Sequence, residues 1–143
     1  MENDHTTHSM QLYRSFLRTA RALRKELSAA LVEQGLTGSQ YVVLEAIPEE
    51  GASLGFLAQH VKRDPSNITG IVDRLERSGL TVRGKDPRDR RVIKVFMTEE
   101  GKAIREKIKA VYPDAVHQRM QVLSEDEKKQ LELILEKLMP TKG

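Results

Sequence analysis

The sequence predicts a mainly α-helical protein with one small β-hairpin. Apolar residues recur every three or four positions through most of the 143-residue chain, which is the period of an amphipathic helix. Between Leu80 and Thr98, two short runs rich in β-branched and apolar residues flank a loop dense in arginine, which predicts a hairpin with a cationic tip. An amphipathic helix from Asp64 to Gly79 directly precedes this hairpin. A helix followed at once by a basic hairpin indicates a winged helix-turn-helix.

The first two helices are predicted from apolar spacing and from their end signals. The first covers residues 9–34 and ends at Gly35. Its apolar face consists of Leu12, Tyr13, Phe16, Leu17, Ala20, Leu23, Leu27 and Leu31. Thr37 and Gln40 have the spacing of a capping box, so they open the second helix, which ends before Pro48.

The third and fourth helices are the predicted helix-turn-helix. Ser53 caps the third helix over residues 54–61, and residues 62–64 form the turn. Asp64 caps the fourth helix, with Pro65 at its first position, where a missing N–H costs nothing. The apolar face of the fourth helix consists of Ile68, Ile71, Val72 and Leu75. Gly79 supplies the helix stop.

Two further helices follow the hairpin. Thr98 caps the fifth helix, and Glu99 and Glu100 complement the helix dipole in its first turn. Pro113 is expected to interrupt this helix. Ser124, followed three residues later by a glutamate, opens the last helix with a second capping box.

The helices at both ends of the chain predict a dimer. Each carries an apolar stripe outside the winged helix-turn-helix, and such a stripe must be buried against another surface. We therefore expect residues 1–34 and residues 102–143 to be dimerisation segments that flank a DNA-binding region at residues 36–101. A two-fold axis through the end helices would place the fourth helices of the two protomers, which we call the reading helices, symmetrically for a palindromic DNA site. A monomer whose end helices pack only on themselves is the alternative.

Composition bounds the class of protein. The chain is 38% hydrophobic and 31% charged, with apolar runs far below the about 20 residues needed to span a bilayer. No secretion signal is visible in the first ten residues, so a cytoplasmic protein without membrane contact is expected. The chain has no cysteine, which excludes disulfides, thiolate metal ligands and thiol redox switches.

Positive charge is concentrated around the predicted reading helix and hairpin. Net charge is only +3, but residues 60–94 carry ten Lys and Arg against five Asp and Glu, a net of +5. A nucleic-acid partner fits this distribution, because positively charged side chains neutralise phosphates. A solvated basic surface is the alternative.

The outward face of the fourth helix and the hairpin loop carry the candidate DNA-binding residues. On the helix these are Ser66, Asn67, Thr69, Gly70, Arg74 and Arg77. In the loop they are Arg88, Asp89, Arg90 and Arg91. Asn67 suits an adenine edge, Gly70 permits close approach of the backbone, and Arg74 and Arg77 suit phosphates. A loop arginine can enter a narrow minor groove, with Asp89 holding Arg90 or Arg91 in place. An ordinary capped helix and a solvated turn are the alternatives.

These residues lie within motifs that resemble the MarR family of transcriptional regulators over roughly residues 36–101. The matching segments are Leu57-Ala58, Val72-Asp73-Arg74-Leu75-Glu76, Ser78-Gly79-Leu80, Asp86-Pro87-Arg88-Asp89-Arg90-Arg91 and Thr98-Glu99-Glu100-Gly101. The resemblance implies a homodimeric winged helix-turn-helix protein that binds pseudo-palindromic operators, usually as a repressor. Asp89 and Arg91 match the family's D-x-R motif, which makes Arg91 the candidate minor-groove arginine, with Arg90 as its close competitor. The turn departs from the family's glycine and aliphatic pair, because it reads Lys62-Arg63.

The resemblance also implies a small aromatic or anionic effector, bound between the dimer helices and the DNA-binding region. By analogy Tyr13, Phe16 and Tyr41 are candidates to line its pocket, with core packing as the alternative. His5 and His8 have a metal-ligand spacing but lie at the chain end, so neither a metal site nor another cofactor is predicted. No catalytic constellation is visible, so an enzyme is not expected. A winged helix that contacts proteins without reading DNA remains the main competing function.

Overall fold

The computed structural model describes residues 2–141, which form eight helices and one two-stranded sheet. The helices are α1 (Glu2–Leu27), α2 (Ala29–Glu33), α3 (Gly38–Ala46), α4 (Leu54–His60), α5 (Pro65–Arg77), α6 (Glu99–Lys109), α7 (Tyr112–Met120) and α8 (Glu125–Leu138). The strands are β1 (Thr81–Lys85) and β2 (Ile93–Met97). The predicted class, mainly helical with one hairpin, is confirmed. Residue 1 and residues 142–143, at the ends of the two predicted dimerisation segments, lie outside the described residues.

The first helix differs from the prediction at both its start and its middle. It begins at Glu2, within a polar stretch that has no apolar period, and it breaks at Ser28 instead of continuing to residue 34. The Ser28 hydroxyl donates a hydrogen bond to the carbonyl oxygen of Lys25 at 3.1 Å. Serine competes in this way for backbone groups inside a helix. The predicted fourth helix is therefore α5 in the structure.

Most predicted helix caps are present. Side-chain oxygens accept a backbone N–H at Thr37, Ser53, Thr98 and Ser124. Both capping boxes are complete, since Gln40 and Glu127 return the second hydrogen bond. Asp64 is a correction: it occupies the N-cap position of α5, but its side chain makes no capping hydrogen bond. Pro65, the first residue of α5, has no N–H, so the first turn has one fewer backbone donor without a helical acceptor.

Three helices end in the same way, with one residue in the left-handed conformation. Gly35 and Gly79 adopt φ values of 73° and 76° after α2 and α5. After α4 the equivalent residue is Lys62, at φ 54°. The N–H of Arg63 then bonds the carbonyl oxygen of Ala58 at 2.9 Å, which completes a Schellman motif. A non-glycine residue in this conformation costs about 1–2 kcal/mol.

A single apolar core surrounds α5. The four residues predicted for its inner face, Ile68, Ile71, Val72 and Leu75, are all buried. They belong to one cluster with buried side chains from α2, α3, α4, the hairpin and α6. The core therefore holds the helix-turn-helix and the base of the hairpin as one unit.

The hairpin, which we call the wing (residues 80–98), has a third backbone partner. Its strands are antiparallel, with Thr81 opposite Met97 and Lys85 opposite Ile93. Ala52, in the loop before α4, exchanges two hydrogen bonds with Val95, at 3.0 and 2.8 Å. This segment lies between the predicted second and third helices, where the sequence pattern indicates no strand. This bridge attaches the wing directly to the start of the helix-turn-helix.

The Thr-x-x-Gly motif joins the end of α5 to the start of α6. The Thr98 hydroxyl donates to the carbonyl oxygen of Gly79 at 2.7 Å and accepts the N–H of Gly101 at 3.1 Å. The Thr98 N–H bonds the carbonyl oxygen of Leu80 at 3.0 Å. A side-chain carbon on Gly101 would overlap the Leu80 carbonyl oxygen, so only glycine fits at this position.

The end helices leave their apolar stripes uncovered in the single chain. On α1, Met10, Leu12, Tyr13, Phe16 and Leu17 are exposed, and on α8 so are Leu131, Leu133, Ile134, Leu135 and Leu138. An ion pair between Glu26 and Arg119 joins α1 to α7. Pro113 interrupts the predicted fifth helix as expected, since α6 ends at Lys109 and α7 begins at Tyr112. None of the helices within residues 2–141 combines the length and apolarity that crossing a membrane requires.

Gly101→Ala should destabilise the fold, because the new methyl group must displace the Leu80 carbonyl. We expect the free energy of unfolding to fall by about 1–3 kcal/mol, measured by urea denaturation. Gly55→Ala is the matched control, since Gly55 lies in α4 with open space around it and should gain up to about 1 kcal/mol. Equal stability of Gly101→Ala and the wild type would contradict this account of the junction.

Candidate nucleic-acid interface

The first turns of α5 present exposed polar side chains. Ser66, Asn67 and Thr69 are exposed on the face opposite the buried apolar residues. The Thr69 hydroxyl donates to the carbonyl oxygen of Pro65 at 3.0 Å, which fixes its orientation. Within the described part of the chain, the side chains of Ser66 and Asn67 make no hydrogen bond. They are therefore available to an external partner.

Nothing within the chain requires a glycine at position 70. Its φ is not left-handed, and an added side-chain carbon would meet only Arg74 Nη2, at an ordinary 3.5 Å. Glycine in a helix interior costs about 0.5–1 kcal/mol relative to alanine. A glycine at this half-buried position, where nothing within the chain requires it, leaves the backbone of α5 open to close approach from outside.

Arg74 and Arg77 lie along the outer side of α5. Each donates from Nε to the carbonyl oxygen four residues earlier, at 3.1 Å to Gly70 and 3.4 Å to Asp73. Both side chains are exposed. Neither forms an ion pair within the described residues, so their terminal nitrogens remain free for phosphates.

The tip of the wing is ordered by two aspartates. Asp86 accepts the N–H of Arg88 at 2.9 Å and pairs with Lys94 at 3.2 Å. The backbone N–H of Arg88, helped by Lys94, holds the pKa of Asp86 below its ordinary value. Asp89 accepts the N–H of Arg91 at 3.1 Å.

Arg91 is the arginine that Asp89 orients. Its Nε and Nη2 donate to the two carboxylate oxygens of Asp89, at 3.1 and 3.2 Å. The side chain is nevertheless 91% exposed, so the guanidinium is both held and accessible. Arg91 lowers the pKa of Asp89 through these hydrogen bonds. Arg88 and Arg90 are exposed beside it.

Sequence reasoning missed Arg83, which joins the wing to α5. Arg83 lies in β1 and pairs with Asp73 through Nη2 at 2.7 Å and with Glu76 through Nη1. The hydrogen bond to Asp73 raises the pKa of Arg83. The signal in the sequence was the pair of carboxylates three residues apart on one helix, of which Glu76 has no cation three or four positions away on that helix.

The structure does not bring the three candidate effector residues together. Tyr41 is only 4% exposed and packs edge-on against Tyr112, with ring centroids 5.5 Å apart. Burial, with Glu45 beside the hydroxyl, raises the pKa of Tyr41. Tyr13 and Phe16 lie outside the core on α1, 57% and 45% exposed. In the single chain Tyr41 is therefore a core residue, and the other two belong to the uncovered stripe.

A cleft of about 440 Å³ lies instead between α1 and the start of α3. Its walls are both apolar and cationic, formed by Leu23, Arg24, Leu27, Ser28, Leu31, Thr37, Gly38, Ser39, Val42, Arg63 and Tyr112. Arg24 comes from the end of α1 and Arg63 from the turn before α5. The cleft thus lies between an end helix and the helix-turn-helix.

An outward polar helix, an ordered arginine on an adjoining hairpin and a shared core define a DNA-binding winged helix-turn-helix protein. Comparison with known proteins identifies the family. The model of the MarR family matches residues 36–93. The HTH-type transcriptional repressor MdtR of Bacillus subtilis is 30% identical over 117 residues, which are 81% of this chain and 76% of that protein.

Two solved structures share the whole fold. A mutant MarR from E. coli, complexed with operator DNA, aligns with a TM-score of 0.77 and 27% identity, covering 91% of this chain and 94% of that one. CouR from Rhodococcus jostii, bound to p-coumaroyl-CoA, aligns with a TM-score of 0.70 and 32% identity, covering 88% and 90%. The chain belongs to the MarR family and is a DNA-binding transcriptional regulator.

Arg91→Ala should raise the pKa of Asp89 toward its ordinary value, because the hydrogen bonds that favour the carboxylate are lost. Since the folded pKa is lowered, the pair is complete at neutral pH and dissociates as the pH falls through that pKa. A carbon-detected NMR titration of the Asp89 carboxyl measures the shift. Arg90→Ala is the matched control and should leave the titration unchanged. An identical midpoint in the wild type and Arg91→Ala would show that the pair does not form.

Proposed function

We propose that the protein is a ligand-responsive repressor that binds pseudo-palindromic operators as a homodimer, in the cytoplasm and without enzymatic activity. The observation that carries this proposal is Arg91, whose guanidinium is exposed yet held in a bidentate pair by Asp89. A guanidinium ordered before binding loses less conformational entropy when it enters a minor groove. An interaction module that does not bind DNA has no use for such an arrangement.

The uncovered apolar stripes of α1 and α8 support the homodimer. Side chains such as Phe16 and Leu135 are 45% and 38% exposed in the single chain. Burial of a large apolar side chain contributes about 1.5–3 kcal/mol when it is complete, so covering two stripes favours association strongly. We assign dimerisation to residues 1–34 and 102–143 and DNA binding to residues 36–101.

The two DNA-contacting elements have different roles in this proposal. Ser66, Asn67 and Thr69 on α5 face base edges in the major groove, and Gly70 lets the backbone come close. Arg74 and Arg77 hold phosphates, which fix the register but do not read sequence. On the wing, Arg91 enters the minor groove, while Arg88 and Arg90 strengthen the local positive field.

Selection of bound sites from a random pool of DNA duplexes tests the function. We expect recovered sites with two inverted half-sites, one helical turn or a small multiple apart. Asn67→Ala should change which half-site is preferred, with about 1–3 kcal/mol lost at one base pair. Arg91→Ala should weaken binding to operator and random duplexes alike and reduce the log–log salt slope by about one.

Arg91→Lys is the control for the wing, because it keeps the charge but cannot form the bidentate pair. Its salt slope should stay near that of the wild type. Identical losses for Asn67→Ala on operator and random DNA would overturn the division of roles. If no duplex is enriched at modest ionic strength, the protein is instead a winged helix that contacts proteins.

The cleft between α1 and α3 is the proposed effector site. Its apolar walls suit an aromatic ring, and Arg24 and Arg63 suit a carboxylate or another anion. An occupant there would contact both an end helix and Arg63 in the turn before α5, so binding would change how the two α5 helices of the dimer are spaced. We propose this cleft beside the pocket around Tyr13, Phe16 and Tyr41, which stays a prediction.

Arg24→Ala should weaken the binding of an aromatic carboxylate by about tenfold, since a charge-assisted hydrogen bond is lost. Isothermal titration with p-coumarate as the probe measures the affinity. Arg21→Ala is the matched control, because Arg21 is on the same helix but does not line the cleft. Equal effects of the two substitutions would place the site elsewhere.

A further inference from the structure

Arg83 joins the reading helix to the wing. Its guanidinium bonds Asp73 at 2.7 Å and also Glu76, so one β1 side chain contacts two carboxylates on α5. Among the ion pairs of residues 4–141, this cluster is the one that connects α5 to the hairpin. The Arg83 side chain is 30% exposed, and those of Asp73 and Glu76 are 48% and 37% exposed. The cluster is therefore partly solvated and adjoins the surface that carries Arg77.

Arg77 has a competing partner on its own helix. Asp73 precedes it by four residues, the spacing at which an acid and a base on a helix form an ion pair. In the structure the Arg77 Nε reaches only the backbone oxygen of Asp73, at 3.4 Å, while the Asp73 carboxylate is engaged by Arg83. The position of Arg77 is thus compatible with the pair, but the carboxylate is already occupied.

We propose that Arg83 is a positioning residue for DNA binding, because it occupies the Asp73 and Glu76 carboxylates and so leaves Arg77 free for a phosphate. This inference rests on the proposed function. It assigns the wing a second role beside its minor-groove arginine. Without Arg83, Asp73 would capture Arg77, and the uncompensated Glu76 carboxylate on α5 would repel the duplex.

The competition predicts a rescue that a purely structural role does not. Arg83→Met should reduce the log–log salt slope by about 0.9, the contribution of one phosphate contact, and weaken binding about tenfold. Adding Asp73→Asn to Arg83→Met should restore most of the slope, because the competing charge has gone. Asp73→Asn alone should leave the slope unchanged. Arg77→Ala should match Arg83→Met, and the two together should lose no more than either alone.

The measurement is the affinity for a random-sequence duplex of about 30 base pairs, roughly three helical turns, over a series of salt concentrations. Phosphate contacts do not depend on sequence, so no operator is needed. Arg83→Lys provides a second variant, whose single ammonium should preserve most of the slope by holding Asp73. Thermal melts of each variant confirm that the compared chains are folded.

A wild-type slope in Arg83→Met, or a reduced slope that Asp73→Asn fails to restore, would overturn the positioning role. Additive losses in Arg83→Met with Arg77→Ala would overturn it too, because independent contacts would then be involved. If the wild-type protein itself does not bind the duplex, the proposed function fails first. The two failures are therefore distinguishable.

Discussion

The hydroxyl of Thr98 is the interaction on which the arrangement of the reading helix and the wing depends. By donating to Gly79 and accepting from Gly101, it joins the end of α5 to the start of α6. Both strands of the wing meet this junction, since β1 begins directly after Leu80 and β2 ends directly before Thr98. The hairpin can therefore project beyond the core without losing its orientation relative to α5. The bridge between Ala52 and Val95 attaches the wing a second time, through β2, to the loop before α4.

Ion pairs order the candidate interface in two places, within the wing and between the wing and α5. Within the wing, short-range pairs order the backbone and one exposed guanidinium, through Asp86 and Asp89. Between the wing and α5, Arg83 neutralises carboxylates that would otherwise face the same partner as Arg77. Ion pairs at such exposed positions contribute little to stability. Their value lies in which cations they leave unpaired.

Local signals made most of the fold predictable from the sequence. The side-chain caps at Thr37, Ser53, Thr98 and Ser124 each depend on residues within one helical turn, so their spacing was sufficient. The inner face of α5 was equally readable from its period. The start of α1 and the break at Ser28 were not, because polar residues 2–8 carry no period and serine is tolerated in helices. The missing side-chain cap at Asp64 depends on rotamer geometry that spacing does not specify.

The candidate site could be predicted only where its residues are close together in the sequence. The outward residues of α5 and the wing arginines follow from helix period and loop composition, whereas Arg83 meets Asp73 ten positions away across two elements. Tyr41 shows the converse problem, since aromatic residues suit a core and a pocket equally well. Its burial against Tyr112 depends on how α3 meets the chain after α6.

The turn at Lys62, between the two helices of the helix-turn-helix, opens more easily than the turns at Gly35 and Gly79. The ends of α2 and α5 rest on glycine, but the end of α4 holds a lysine in a left-handed conformation, with a backbone strain of about 1–2 kcal/mol. Local opening of that turn therefore costs less free energy than opening of an unstrained turn, by about the same amount. Arg63 follows Lys62, and α5 begins two residues after Arg63. Opening of the Lys62 turn would therefore change the angle between α4 and α5.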